Sequence, residues 1–89
     1  MNTFTIQINN DINSREAVGL SQALSPIKSE IYLHIEDRKV NAKSILGLLS
    51  LNIRKGDILS FDVIEDSELD GVRTAVEKIL TEWGFDNGR

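Results

Sequence analysis

The chain has 89 residues, enough for one small domain with a modest core and no room for a deep substrate cavity. Hydrophobic residues make up 40% and charged residues 27%, which excludes a disordered segment, while the absence of cysteine and a single histidine exclude disulfides and the common zinc sites. A count of 10 basic against 14 acidic residues leaves a net charge of −4, which argues against gripping nucleic acid phosphates.

The opening stretch, MNTFTIQINN, lacks a basic region followed by an apolar core, so no signal peptide is expected. Phe4, Ile6 and Ile8 alternate with Thr5 and Gln7, the pattern of a half-buried strand. After the polar Asn9-Asn10-Asp11, Ala17, Leu20, Ala23 and Leu24 share one face of a helix predicted from about Ser14 to Leu24, with Pro26 marking its end. Ile31, Leu33 and Ile35 alternate with Tyr32, His34 and Glu36 in a second strand. Asp37-Arg38 reads as a tight turn into a third strand over Lys39 to Ala42. A serine then opens a short apolar helix, Ser44 to Leu51. Lys55-Gly56-Asp57 is a turn, and Leu59, Phe61 and Val63 form a fourth strand. The last helix runs from about Ser67 to Trp83 on the stripe Leu69, Val72, Val76, Ile79, Leu80 and Trp83, with Ser67 to cap it and Gly84 to end it, leaving residues 86–89 as a frayed tail.

The order is β-α-β-β-α-β-α, an α+β domain over residues 1–89 whose four-stranded antiparallel sheet has three helices on one face and water on the other. No apolar run approaches the roughly 20 residues that span a bilayer, so a cytoplasmic protein is expected, without membrane contact, metal or cofactor.

The segment Lys43-Ser44-Ile45-Leu46-Gly47-Leu48-Leu49-Ser50-Leu51, preceded by Val40-Asn41-Ala42, resembles the regulatory serine segment of the histidine-containing phosphocarrier (HPr) family. The resemblance covers nearly the whole chain and implies that family's open-faced β-sandwich. The family's other signature, Gly-Ile-His-Ala-Arg-Pro-Ala, corresponds to Asp11-Ile12-Asn13-Ser14-Arg15-Glu16-Ala17, with no gap needed between the two motifs. Isoleucine, arginine and the last alanine are kept. Glycine has become Asp11, proline Glu16 and the histidine Asn13.

A phosphocarrier needs a basic nitrogen that accepts a phosphoryl group and gives it up again, which imidazole does near neutral pH. The amide nitrogen of Asn13 has its lone pair delocalised into the carbonyl and cannot. The only histidine, His34, falls on the outward face of a strand and reads as an ordinary surface residue. Asn13 also reads as a plain helix N-cap, with Glu16 three residues on in capping-box relation and Ser14 as a competing cap. Glu16 puts negative charge where the family receives a phosphate and counters the anion attraction of a helix start. Arg15 is open to two readings, a solvated charge or a contact for an anion or partner near Ser44.

Ser44 resembles the serine that the HPr kinase/phosphorylase modifies, and it also reads as a simple N-cap. A phosphate there would add about −1.5 to −2 charges at a helix N-terminus without unfolding anything. Ile45, Leu46, Leu48, Leu49 and Leu51 cannot all point inward from two turns of helix; Leu48 and Leu51 are assigned to the core. By resemblance, Ile45, Leu46 and Leu49 form an exposed docking patch, burial under the loop before the first helix being the other reading.

Three functions follow. The resemblance to the catabolite-repression variant of HPr implies a non-enzymatic regulatory protein. It would be phosphorylated on Ser44 and bind a LacI-type catabolite control transcription factor through Arg15, Ser44, Ile45, Leu46 and Leu49. A degenerate pseudo-phosphocarrier would dock an unrelated protein through the patch beside Ser44. A working carrier would need His34 as the acceptor.

Overall fold

The structure is a computed structural model and describes residues 2–87. Its elements in chain order are β1 (Thr3–Gln7), α1 (Ser14–Leu24), β2 (Ile31–Ile35), β3 (Arg38–Asn41), α2 (Ile45–Ser50), β4 (Ile58–Val63) and α3 (Leu69–Asn87), the last preceded by a 3-10 turn at Asp66–Glu68. The four strands form one antiparallel sheet in the order β1-β4-β2-β3, so the first and third strands are its edges.

The period-2 pattern of each strand decides which face it buries. Phe4, Leu33, Leu59, Phe61 and Val63 turn inward and are buried, whereas Thr3, Thr5, Gln7, Ser60 and Asp62 turn outward. Phe4 and Phe61, directly opposite across β1 and β4, stack with ring centroids 5.1 Å apart. The helices cover this inner face with Ala17, Leu20 and Leu24 from α1, Leu48 from α2, and Val72, Val76, Leu80 and Trp83 from α3. Full burial of each large aliphatic side chain contributes about 1.5–3 kcal/mol. Leu48 and Leu51, assigned to the core from the sequence, are buried.

The helices α1 and α2 run in opposite directions. The Ser21 hydroxyl donates to the Lys43 carbonyl at 2.7 Å, tying the later half of α1 to the start of α2. At the other end, the Ile12 N–H donates to the Ile53 carbonyl at 3.0 Å. The C-terminus of α2 is closed by Asn52 in the left-handed region (φ 52°) and by the Arg38 guanidinium, which donates to the Leu51 carbonyl.

Four boundaries differ from the sequence reading. The hairpin turn is Glu36-Asp37 rather than Asp37-Arg38, because Glu36 takes the left-handed conformation (φ 55°) that brings Ile35 opposite Arg38. The third strand accordingly starts at Arg38 and ends at Asn41, although the Ala42 N–H still donates to Ile31 O at 2.8 Å. Ser67 lies inside the 3-10 turn and caps nothing; that turn winds directly into α3. Gly84 does not end the last helix, which continues through Asn87. A Cβ at Gly84 would stand 2.9 Å from Asn9 Nδ2, and that amide donates to the Leu80 carbonyl at 2.7 Å. A side chain at this position would push the Asn9 amide off that carbonyl. Asp86 and Asn87 of the expected tail are helical, and residues 88 and 89 lie outside the described residues.

Candidate functional site

Asn13 is the N-cap of α1, extended at φ −96°, and its side chain is exposed. Its backbone N–H donates to Glu16 Oε1 at 3.2 Å, the carboxylate half of a capping box. Glu16 Oε2 also accepts from Asn10 Nδ2 at 3.3 Å. Ser14, the competing cap, is the first helical residue.

Asp11 closes the site from the other side. Its Oδ1 accepts the Lys55 backbone N–H at 2.8 Å, and its Oδ2 lies 3.9 Å from the Arg54 guanidinium. The mouth of α1 thus carries two carboxylates of its own, both engaged with donors that line it. Both stand at the positions where the sequence departs from Gly and Pro. Between them Asn13 offers an amide with no basic nitrogen, and the two carboxylates counter the positive end of the helix.

Arg15 is exposed and, among the described residues, makes no hydrogen bond or ion pair. Ser44 lies at the opposite end of the α1–α2 pair, where it caps α2 by accepting the Gly47 N–H at 3.0 Å. The two residues share the helical side of the domain but do not touch.

The segment after Ser44 divides as its length requires. Leu46 is 80% exposed and Ile45 38%, while Leu49 is half-buried and packs against the core. Val18, 37% exposed, lies on α1 one turn before Ser21, the residue whose hydroxyl meets Lys43. Sequence reasoning missed Val18. The available signal was a valine off the Ala17–Leu20–Leu24 stripe of its helix.

His34 does face outward, but it is not isolated. Asp62 on the same face accepts from His34 at 2.9 Å and from the Thr3 hydroxyl at 2.7 Å, with the Lys39 ammonium at 3.8 Å. These bonds hold the Asp62 carboxyl below the usual carboxylate range, the Thr3 bond having the largest effect. Since Asp62 can only accept, the His34 nitrogen facing it is the protonated one. Among the described residues, no group of three or more His, Cys, Asp or Glu side chains is arranged to hold a metal ion, and no helix is long and apolar enough to cross a membrane.

A helix start bearing a degenerate acceptor motif, a serine-capped second helix and an open sheet together define an HPr-type carrier domain. A family model described as the PTS HPr component phosphorylation site matches residues 1–81, and the chain belongs to this family. Among solved structures it is similar to HPr-C-His from Thermoanaerobacter tengcongensis, at 29% identity and TM-score 0.81 over 91% of this chain and 92% of that one. It is also similar to the phosphocarrier protein HPr from Bacillus anthracis, at 26% identity and TM-score 0.72 over 89% of this chain and 92% of that one. The Bacillus subtilis catabolite repression protein Crh shares the fold, at 24% identity and TM-score 0.66 over 84% of this chain and 90% of that one. Proteins of the family are phosphocarriers rather than enzymes.

Proposed function

We propose that this chain is a cytoplasmic regulatory member of the HPr family that binds other proteins and does not relay phosphohistidine. The observation that carries this reading is the mouth of α1: Asn13 holds the acceptor position, and Asp11 and Glu16 engage the surrounding donors at 2.8 and 3.2 Å. The docking surface takes in the exposed Leu46 with Ile45 and Leu49 on α2, Val18 on α1, and Arg15 toward the other end of the helix pair. Ser44 is the regulatory position. An HPr kinase/phosphorylase would transfer the γ-phosphoryl group of ATP to Ser44 Oγ, releasing ADP and the hydroxyl proton. The modified protein would then bind a LacI-type catabolite control transcription factor through this face, with no direct contact to nucleic acid.

Two incubations test the proposal, each read by intact mass. Enzyme I and phosphoenolpyruvate should leave the protein unmodified; an acid-labile phosphate, on His34 or elsewhere, overturns the reading. HPr kinase and ATP should add one phosphate that Ser44→Ala removes.

A second reading, favoured by the Asp11 contacts to Lys55 and Arg54, is a pseudo-phosphocarrier that docks an unrelated protein through the Leu46 patch. Those contacts remodel the surface next to Asn13 beyond what loss of a histidine demands. This reading predicts no reaction with the kinase, and partner capture that is lost in Leu46→Asp.

A further inference from the structure

The N-caps of α1 and α2 are built differently. Asn13 has Glu16 three residues on, and that carboxylate takes the Asn13 N–H at 3.2 Å. Ser44 has Gly47 at the corresponding place. Ser44 needs no carboxylate there, because its N–H already donates to the Asn41 carbonyl at 3.0 Å. Glycine is nevertheless the poorest helix former after proline, and a plain serine cap does not call for it.

The surroundings of Gly47 account for the choice. A Cβ there would stand 3.2 Å from Ser44 Oγ, 3.2 Å from Val40 Cβ and 3.3 Å from Ser44 Cβ. The two carbon contacts are closer than the roughly 3.5–4.0 Å at which carbons rest. Val40 is fixed by its pairing with Leu33 across β3 and β2. Ser44 can yield, by turning about its single side-chain torsion. A methyl group at position 47 would therefore drive Oγ out of the place where it accepts the Gly47 N–H at 3.0 Å. In that place the hydroxyl proton is left over, since among the described residues Ser44 Oγ donates to nothing.

We propose that Gly47 is a positioning residue for phosphoryl transfer to Ser44, an inference that rests on the reading of Ser44 as the regulatory acceptor. One lone pair of Oγ takes the Gly47 N–H, the second is left for phosphorus, and the proton is left for a base. In the transfer, Oγ bonds to the γ-phosphorus of ATP as the bond from that phosphorus to the β–γ bridging oxygen breaks. ADP leaves, and a base of the kinase takes the hydroxyl proton. Both events need the oxygen in one place, and a misplacement of about 1 Å costs on the order of 10²-fold in rate. Gly47 touches neither ATP nor the reacting phosphorus. It acts through where its bare α-carbon lets Ser44 rest.

Steady-state kinetics of the full chain with HPr kinase and ATP test this. Gly47→Ala should lower kcat for Ser44 roughly tenfold or more and leave KM within about twofold. Circular dichroism should show the fold kept. NMR of the variant should show an altered Ser44 side-chain coupling and faster solvent exchange of the residue-47 amide. Gly71→Ala is the control, since a Cβ there meets nothing within 4 Å, and it should be phosphorylated at the parent rate. Parent kinetics in Gly47→Ala, or a rise in KM with kcat kept, overturns the inference while leaving Ser44 as the acceptor. A Gly47→Ala protein unfolded at the assay temperature makes Gly47 a packing residue and overturns it as well. A parent protein that takes no phosphate overturns the reading of Ser44 and the inference with it.

Discussion

His34 and Asp62 join the two central strands across the solvent face of the sheet, with Nε2 and Oδ2 2.9 Å apart. They are diagonal neighbours, because His34 lies opposite Ser60 and Asp62 opposite Tyr32. The same carboxylate takes the Thr3 hydroxyl from β1 and stands near Lys39 of β3, so one side chain on β4 reaches each of the other strands.

Asp62→Ala should therefore destabilise the fold by about 1–2 kcal/mol, the scale of hydrogen bonds to a charged group at a partly exposed site. Lys39 is 54% exposed and adds little to that figure. The depressed carboxyl of Asp62 stabilises the fold above its unfolded-state value and ceases to do so as pH falls through the lower folded-state value. Denaturant melts below about pH 4 should show this loss in the parent protein, and Asp62→Asn should flatten it.

Restoring the missing ring alone should not restore a carrier. Asn13→His leaves Asp11 and Glu16 at the mouth of α1. Each carboxylate opposes an incoming phosphoryl group by about 0.3–1 kcal/mol in the field of a helix terminus. The triple variant Asp11→Gly, Asn13→His, Glu16→Pro should accept phosphate from enzyme I and phosphoenolpyruvate roughly tenfold faster than Asn13→His, the rate equivalent of about 1.4 kcal/mol. Initial rates of acid-labile labelling compare the two.

Leu46 and Leu48 are two residues apart on one short helix and should behave oppositely. Leu48 is 0% exposed, and Leu48→Ala should cost about 2–5 kcal/mol in a denaturant melt. Leu46, at 80% exposure, should leave stability within about 0.5 kcal/mol when changed to Ala. Partner affinity measured by calorimetry should fall at least tenfold in the Leu46 variant.

Glycines at two places in α3 make a second contrasting pair. A Cβ at Gly71 meets nothing within 4 Å, so Gly71→Ala should gain up to about 1 kcal/mol of helix propensity. At Gly84 the same gain is opposed by the displacement of Asn9, whose amide would have to release the Leu80 carbonyl. Gly84→Ala should lower Tm where Gly71→Ala raises it.

The sequence made the fold legible because each element carries its own period: Phe4-Ile6-Ile8 for a strand, Leu69 through Trp83 for the long helix. The misplaced boundaries have local causes that composition does not encode. Nothing about Glu36 announces a positive φ, which is unusual for its type. Gly84 looked like a helix end because the alternative, an asparagine 75 residues earlier in the chain pressing against it, is a tertiary fact. At the candidate site the substitutions at positions 11, 13 and 16 could be read directly. The bonds from Asp11 to the Lys55 segment could not, nor the way β1, β2 and β3 converge on Asp62, since both join segments far apart in sequence.

Lys43, the cation next to the cap serine of α2, gives its ammonium to the Ile27 carbonyl and its own carbonyl to Ser21. Its charge is thereby tethered to the loop after α1 while two of its three N–H donors stay open, so any negative group placed on Ser44 would sit beside a cation whose stem the scaffold already fixes.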